Sequence, residues 1–463
     1  MSSRPTKYLY LISCLPVALI LFATYPGYLS FDSAFQFWQA RHDLYFDAAP
    51  PLFPWIWHFL LKLLPDTFGM IAVIFLLFGA GIGAFASYLA QRIGLWASSV
   101  FALLAPMCPV LVLLLPHLWT DVLFAGFLLL AYALMLTAHP PGWRALSIFG
   151  LCLCAASVRH NGLLALPPLL WFWSGTLQLG WMSGDVRSSV SPVKSTQTNA
   201  IVRPSVVRFA LVVGLLIPIG LGSYMLRSAL VEERLDTWAV TPMFDLQAVS
   251  VSQNVNRFPA NLVGPKMEVQ ELVDAFNPYS ATPLFSGTQL GVVNPTISPL
   301  TSEQKRELKS AWLVLLTEPA YWHHRLRLYR GLLGRHRAPG LVGLSDSPQI
   351  HPYEDNPPLE FKHSLAHSGY RAAVDSLRLT PVYSPGWYLL FAAVLIAVRW
   401  RTSPQWVREC HFALYGSALV YALPYFLIAP SAELRYLLWS ALASWLCILL
   451  VLLQGGRLAR AFA

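Results

Sequence analysis

The sequence predicts an all-α polytopic membrane protein of about ten transmembrane helices, with outward interfacial helices and one outward domain of about 150 residues. The first observation behind this prediction is composition. Of the 463 residues, 56% are hydrophobic and only 12% are charged, which excludes an ordinary soluble domain. The second observation is that apolar runs recur along the chain at lengths near the roughly 20 residues that a helix needs to cross a bilayer.

The predicted spans divide the chain into three parts. They lie near residues 8–24, 69–90, 97–115, 119–137, 145–158, 161–177, 208–228, 384–398, 412–429 and 436–454. Residues 1–228 form an N-terminal membrane region of about seven spans, residues 229–383 an outward segment, and residues 384–463 a C-terminal membrane region of about three spans. No small-residue cleavage site follows the first span, so we expect it to be retained as a helix.

Charge separates the connections between spans into two sets. The set that contains both termini holds 13 basic and 2 acidic residues, whereas the opposite set holds 19 basic and 21 acidic ones. The positive-inside rule assigns the first set to the cytoplasm. We therefore expect a multi-pass protein of the inner (plasma) membrane with cytoplasmic termini and a cytoplasmic linker at 178–207. The net charge of +9 then reports topology, and no nucleic-acid partner is expected.

Two outward stretches are expected to hold helices that do not cross the membrane. In the loop 25–68, the aromatic run 55–64 is too short to span and suits an interfacial helix. In the outward segment, Thr301 and Gln304 have capping-box spacing and open a helix at 303–316. A basic aromatic helix at 321–330 follows Pro319. It lies at the outer membrane surface or, equally, is a domain helix with a solvated basic face; its His323 and Arg325 are candidates to line a site.

The first outward loop carries the candidate catalytic acids. Asp32 follows the first span closely and has aromatic neighbours, so its carboxylate could accept a proton from an acceptor hydroxyl. It could equally cap the helix predicted from Ser33 to Arg41. Asp47, which precedes Ala-Ala-Pro-Pro, is the second candidate, with a role in the turn as its alternative.

Three further positions are candidates because polar residues stand at span ends. His117 and Asp121 are four residues apart, a spacing that on one helix face would suit a hydrogen-bonded pair, although two such residues favour no metal. Arg159, beside His160, and Arg435, beside Tyr436, go against the positive-inside bias on the outward side. A guanidinium suits a phosphate because it donates two parallel hydrogen bonds. Alternatively, Glu433 pairs with either arginine.

Taken in order, these landmarks resemble the GT-C superfamily of membrane glycosyltransferases. The likeness includes one span, an outward loop with an acid and an Asp-x-x-Pro-Pro element, the Thr120-Asp121 turn, the element 159–162, and Arg435-Tyr436 before the last span. The resemblance implies an inverting transferase. It would move a sugar from a polyprenyl-phosphate donor to a glycan, lipid or protein acceptor on the outer (periplasmic) face.

The resemblance also implies roles for individual residues. Asp32, or else Asp47, would be the base that acts on the acceptor, and Arg159 and Arg435, with His160 and Tyr436, would hold the donor phosphate. No cofactor is required, although a divalent cation is compatible with the reaction, since some relatives use one. Two alternatives stay open at this point: a transporter or flippase of a lipid-linked sugar, and a polymerase or ligase of lipid-linked glycans.

Overall fold

The computed structural model describes residues 4–136, 142–184, 204–264, 267–286, 291–334, 350–361, 364–378 and 380–461. Over these residues the chain is helical, and its only β pairings are isolated bridges. The membrane prediction is confirmed in its coarse form, because four described helices are long and apolar enough to cross a membrane. They are Phe68–Ile93, Ser205–Leu230, Gln405–Ile428 and Leu434–Gln454.

The N-terminal part contains helices at each predicted span, together with two shorter helices in the first loop. Its described helices are α1 (Arg4–Ala23), α2 (Phe31–His42), α3 (Leu52–Leu61), α4 (Phe68–Ile93), α5 (Leu95–Leu104), α6 (Pro109–Leu114), α7 (Thr120–Met135), α8 (Gly142–Val158), α9 (Leu166–Gly184) and α10 (Pro204–Leu230). Several are shorter than a full span, so the count of about ten transmembrane helices stays a prediction. The middle of the predicted linker, 185–203, lies outside the described residues.

The third predicted span is not one helix. The apolar run 97–115 breaks at Ala105 into α5 and α6, which resumes at Pro109. Pro106 lacks the backbone N–H that an interior helical position must donate, and its ring clashes with the preceding turn. Pro109 stands at the first position of α6, where proline is tolerated. Hydrophobicity alone concealed this break because prolines interrupt the hydrogen-bond ladder without making the run polar.

Helix α1 packs into a notch of glycines on α4. A Cβ added at Gly79 would lie 2.6 Å from the sulfur of Cys14, and one added at Gly83 would lie 2.5 Å from the ring of Tyr10. The Ser13 hydroxyl also donates to the carbonyl of Gly79 at 2.9 Å. Small residues four positions apart let two helix backbones approach closely, as membrane helices commonly do. The packing therefore fixes the axial position of α1 against α4.

Helix α10 shows where lipid is expected. Only 11% of its most apolar window is buried by protein. Phe209 and Met225, at its two ends, are 63% and 67% exposed. In water such an apolar surface would be costly, whereas in a bilayer it meets hydrocarbon.

Helices α11–α15, here called the helical module, have an apolar core of their own. They are α11 (Val240–Gln253), α12 (Val269–Asp274), α13 (Thr282–Ser286), α14 (Ser302–Leu315) and α15 (Pro319–Leu332). Their core runs from Ala239 to Tyr321, whereas Val374 and Tyr383 join the main core of the membrane helices. The predicted segment 229–383 is therefore divided between the two cores. The capping box of Thr301 and Gln304 is present, as predicted.

The C-terminal part returns to the membrane helices. It contains α16 (Leu365–Leu377), α17 (Pro385–Arg399), α18 (Gln405–Ala422), α19 (Tyr425–Ile428), a short 3-10 helix (Leu434–Leu437) and α20 (Leu438–Ala461). The connection 429–433, between α19 and the 3-10 helix, brings Arg435 to the end of the bundle where α2 and α7 begin.

Candidate functional site

The polar residues predicted at span ends converge at one end of the helix bundle. Asp32 lies in the first turn of α2, Asp121 in the first turn of α7, and Arg159 directly follows α8. Arg435 lies in the 3-10 helix before α20. Antiparallel helices bring every second connection to the same end of a bundle. The side chains of Asp32, Asp121, Arg159 and Arg435 therefore lie together, and with the side chains that contact them they are called the group here.

Arg435 is held between two carboxylates and an indole ring. Its Nη2 lies 2.7 Å from Oδ2 of Asp32, and its Nε contacts the carboxylate of Glu433. Its guanidinium carbon lies 4.8 Å from the ring centroid of Trp119, within range of a cation–π interaction. The indole of Trp119 in turn donates to the hydroxyl of Ser30 at 2.8 Å. Arg435 thereby ties the first loop to the last helix.

Arg159 is satisfied by partners that are mostly buried. It contacts the carboxylate of Asp121, and its Nη2 donates to the hydroxyl of Tyr425 at 2.7 Å. The side chains of Arg159 and Asp121 are only 12% and 4% exposed. Tyr421 completes the arrangement, since its hydroxyl lies 3.0 Å from that of Tyr425. These contacts give Arg159 a clear structural role in addition to any contact with a ligand.

Tyr436 connects the two arginines. The charge centres of Arg159 and Arg435 lie 5.3 Å and 5.5 Å from its ring centroid. Its ring also stacks on Tyr425 with an interplanar angle of 8°. The hydroxyl of Tyr436 lies 3.1 Å from that of Ser431. The predicted Arg435-Tyr436 element is therefore part of the same group as Arg159.

Asp32 does not cap a helix. The N-cap position belongs to Ser30, one residue before α2 begins at Phe31, and Asp32 lies inside the first turn. The capping alternative is therefore wrong, because the helix starts two residues earlier than predicted. The side chain of Asp32 is 53% exposed and contacts Arg435. A carboxylate in this position is accessible to a molecule that approaches Arg435.

Asp47 lies in a different charge pair. It contacts Arg227 at the end of α10, and its side chain is only 8% exposed. Burial raises the pKa of Asp47, although Arg227 opposes this effect. Its backbone N–H donates to the carbonyl of Glu233 at 3.3 Å. These contacts fasten the first loop to the start of the 229–383 segment, and they favour a structural role over a catalytic one.

His117 and Asp121 do not share a helix face, because α7 begins only at Thr120. Asp121 faces Arg159, whereas the ring of His117 stacks on Trp119 with centroids 4.1 Å apart. Burial lowers the pKa of His117 to about 3, so its ring is neutral at physiological pH. Within the described ranges, no cluster of three or more His, Cys, Asp or Glu side chains could hold a metal ion.

The remaining candidates are placed around this group or away from it. His160 is exposed and lies within electrostatic range of both Arg159 and Arg227. His323 is exposed on α15. Arg325, in contrast, is fully buried inside the helical module, where it pairs with Asp245 at 2.6 Å. It therefore does not line a surface site.

Sequence reasoning missed two members of the group, Trp119 and Tyr425, and it missed Asp245 in the helical module. Trp119 and Tyr425 carry no charge and stand among many other aromatic residues, so nothing in their spacing pointed to the arginines. Asp245 lies in α11, where residues 242–250 are all buried. A charged residue within an apolar helical stripe was the available signal, because a buried charge requires a partner.

Comparison with known protein families, curated proteins and solved structures finds no match to this chain. The function of the group is therefore argued from its own residues. Two arginines and three carboxylates, with a partly exposed acid at the edge, lie together at the end of helices that include candidate membrane spans.

Proposed function

We propose that the protein is an inverting glycosyltransferase that moves a sugar from a polyprenyl-phosphate donor to an acceptor at the outer face of the membrane. The observation that carries the proposal is the contact between Asp32, which is half exposed, and Arg435, which is held in place by Glu433 and Trp119. An acid open to an acceptor thus lies beside a guanidinium that suits a phosphate. Both belong to an end of the bundle that a membrane-embedded donor can reach.

In the proposed reaction, the acceptor hydroxyl attacks the anomeric carbon from the face opposite the phosphate. Its oxygen forms the new glycosidic bond and its proton passes to the carboxylate of Asp32. The bond between the anomeric carbon and the phosphate oxygen breaks, and the electron pair leaves with the polyprenyl phosphate. Arg435 stabilises the charge that develops there, so no acid needs to protonate the leaving group.

The two arginines are proposed to act differently. A phosphate that reaches Arg435 competes with Asp32, whose exposed side chain can turn into solvent. A phosphate that reaches Arg159 must displace Asp121, which is almost completely buried. We therefore assign the direct phosphate contact to Arg435. Arg159 acts mainly through Tyr436, whose ring lies against both guanidinium groups.

The setting of the proposed enzyme follows from the charge distribution. The basic connections are cytoplasmic, the site faces outward, and the protein resides in the inner (plasma) membrane with both termini in the cytoplasm. The acceptor is a glycan, a lipid or a protein. The proposed steps use side chains alone, and a divalent cation would be an addition to them rather than a requirement.

The proposal is tested first by lipid binding. The purified protein in nanodiscs should bind undecaprenyl phosphate and discriminate against undecaprenol, which has the same chain without the phosphate. Arg435→Ala should abolish that discrimination. Arg306→Ala is the control, because Arg306 is an exposed arginine of the helical module, and it should leave the discrimination unchanged. Equal binding of both lipids by the native protein would contradict the proposed donor.

The second test follows the product in cells. Deletion of the gene should remove a sugar mass from an envelope glycan, lipid or protein, and the native gene should restore it where Asp32→Asn does not. A transporter or flippase would not depend on a proton-accepting side chain, and its loss would leave lipid-linked sugar on the cytoplasmic side. A lipid-linked glycan polymerase or ligase would instead change chain length rather than remove one sugar.

A further inference from the structure

The connection that carries Glu433 toward Arg435 is held by the helical module through its backbone. Four successive contacts of residues 428–432 involve module side chains or backbone. They are Thr241 Oγ1 to the carbonyl of Ile428 at 2.9 Å, Arg325 Nη1 to the carbonyl of Ala429 at 2.7 Å, the amide of Ala281 to the carbonyl of Pro430 at 3.1 Å, and the amide of Ala432 to the carbonyl of Tyr279 at 2.8 Å.

Arg325 is the one charged member of this set, and its position is fixed from inside the module. Its side chain and that of Asp245 are both fully buried. The Nη2 of Arg325 donates to Asp245 at 2.6 Å, and the indole of Trp312 donates to the same carboxylate oxygen at 2.8 Å. The planar guanidinium thus directs one nitrogen to α11 and the other to the connection after α19.

We infer that Arg325 and Asp245 are positioning residues for Arg435. The pair fixes the connection 428–433 against the module, and the connection fixes where Arg435 meets Asp32 and a donor phosphate. This inference rests on the proposed function for its consequence in catalysis, whereas the mechanical link stands on the contacts themselves. The module would then determine the geometry of a site to which it contributes no catalytic side chain.

Stability of the module alone does not explain why Arg325 and Asp245 are charged. A buried ion pair can often be replaced by apolar side chains of similar volume without loss of stability. An apolar pair, however, could not donate a hydrogen bond to the carbonyl of Ala429. The charge of Arg325 is thus explained by its reach across to the connection, with Asp245 as the anion that makes its burial tolerable.

The test separates positioning from folding with a charge-free pair. The double variant Asp245→Asn with Arg325→Met nearly keeps the volume of both side chains and leaves an oxygen to accept from Trp312, but it loses the hydrogen bond to Ala429. Glu303→Gln with Arg306→Gln, which removes an exposed ion pair of the same module, is the matched control. Amide hydrogen exchange is followed in nanodiscs for the peptide 429–437 and for α11 and α15.

We expect exchange in 429–437 to accelerate about ten- to a hundredfold in the double variant, which is the effect of one lost charge-assisted hydrogen bond. Protection of α11 and α15 should be retained, and affinity for undecaprenyl phosphate should fall by about tenfold. Unchanged exchange in 429–437 with a folded module would overturn the inference. Faster exchange without any native binding of undecaprenyl phosphate would instead retain the mechanical link and refute the proposed function.

Discussion

Asp32 differs from the other acids of the first loop in that it contacts an arginine while half of its side chain remains exposed. Asp43 is also exposed, but it accepts a hydrogen bond from the hydroxyl of Tyr45 at 2.7 Å and lies 3.7 Å from Nε2 of His58, with no arginine of the described residues in contact. Asp47 is buried against Arg227. Accessibility and a neighbouring arginine that suits a phosphate are what the proposed base needs, and among these three acids they coincide at Asp32.

Asp32→Asn should slow sugar transfer at least about a hundredfold, because asparagine cannot take up the proton and a positioned base contributes about 10²–10⁴-fold. Helix α2 should survive, since Asp32 does not cap it. The measurement is restoration of the envelope sugar in the deletion strain, together with the amount of folded protein in the membrane.

Asp43→Asn is the matched control for this substitution. It makes the same chemical change in the same loop, at a residue whose left-handed backbone conformation (φ 55°) asparagine adopts readily. Activity should stay near the native level. If transfer by Asp32→Asn were near normal while Asp47→Asn abolished it, the base would be Asp47, and the burial of Asp47 would have to be relieved during the reaction.

Arg159→Ala and Arg435→Ala should have different effects even though the two arginines are similarly buried. Removal of Arg159 leaves Asp121, 4% exposed, without its partner, which costs about 3–5 kcal/mol of stability. Removal of Arg435 leaves Asp32 and Glu433 without their partner, but these side chains are 53% and 22% exposed and water can solvate them. Stability should therefore change less, while binding of undecaprenyl phosphate falls.

Thermal unfolding and lipid binding, measured on both variants, check this division. Arg159→Ala should show the larger fall in Tm, and Arg435→Ala the larger fall in affinity. The reverse order would assign the phosphate contact to Arg159 and the structural role to Arg435.

The residues of the site were more predictable than their pairings. Asp32, Arg159 and Arg435 stood out because charges at span ends are costly and therefore require a reason. Their partners could not be chosen from the sequence, since Glu433 was available to either arginine and Asp121 had been considered as a partner of His117. Pairing is decided by which helix ends are neighbours, and that is a property of the packed bundle.

At the scale of the helix, local signals predicted boundaries where backbone chemistry is explicit. The capping box at Thr301 and the proline that opens α15 both appear where expected. The break between α5 and α6 was missed because the hydrophobic run continues through Pro106 and Pro109. The presence of proline alone would not have identified it, since Pro16 and Pro218 lie inside the continuous helices α1 and α10.

Helices α11 and α15 bring together two groups whose pKa values shift in opposite directions. Burial raises the pKa of Asp245 to about 6, opposed by Arg325 and Trp312. Burial lowers the pKa of His324 to about 3, with help from the charges of Arg325 and Arg327. The contribution of Asp245 to the free energy of unfolding is complete below about pH 4 and is lost as the pH rises through 6. The contribution of His324 is complete above about pH 6.5 and is lost as the pH falls.

The two effects should largely cancel in the native protein between about pH 4 and 6, so single substitutions should expose them. On acidification from pH 7.5 to 5, Asp245→Asn should lose stability relative to the native protein, and His324→Phe should gain it, each by about 1–2 kcal/mol. Tm measured at both pH values for the three proteins decides the matter. Parallel changes in all three would show that neither group titrates differently in the folded state.

At the scale of the whole molecule, the prediction that most needs a test is the orientation in the membrane. A cysteine introduced at Ser189, in the predicted cytoplasmic linker, and one at Ser302, exposed at the start of α14, should react with impermeant reagents from opposite sides. Four of the six native cysteines are buried, which keeps the background low. Labelling from the same side would refute the topology and place the proposed site on the wrong face.

The glycine notch on α4 has a consequence for the depth in the membrane at which the proposed reaction would take place. Tyr10 and Cys14 of α1 rest against Gly83 and Gly79, and this contact keeps α1 from sliding along its axis. Asp32 follows Ala23, the last residue of α1, by nine residues. The distance of the Asp32 carboxylate from the hydrocarbon region therefore depends on the absence of side chains at Gly79 and Gly83. A methyl group at Gly83 would collide with Tyr10 and shift or tilt α1. The carboxylate of Asp32 would then lie at a different depth from the guanidinium of Arg435.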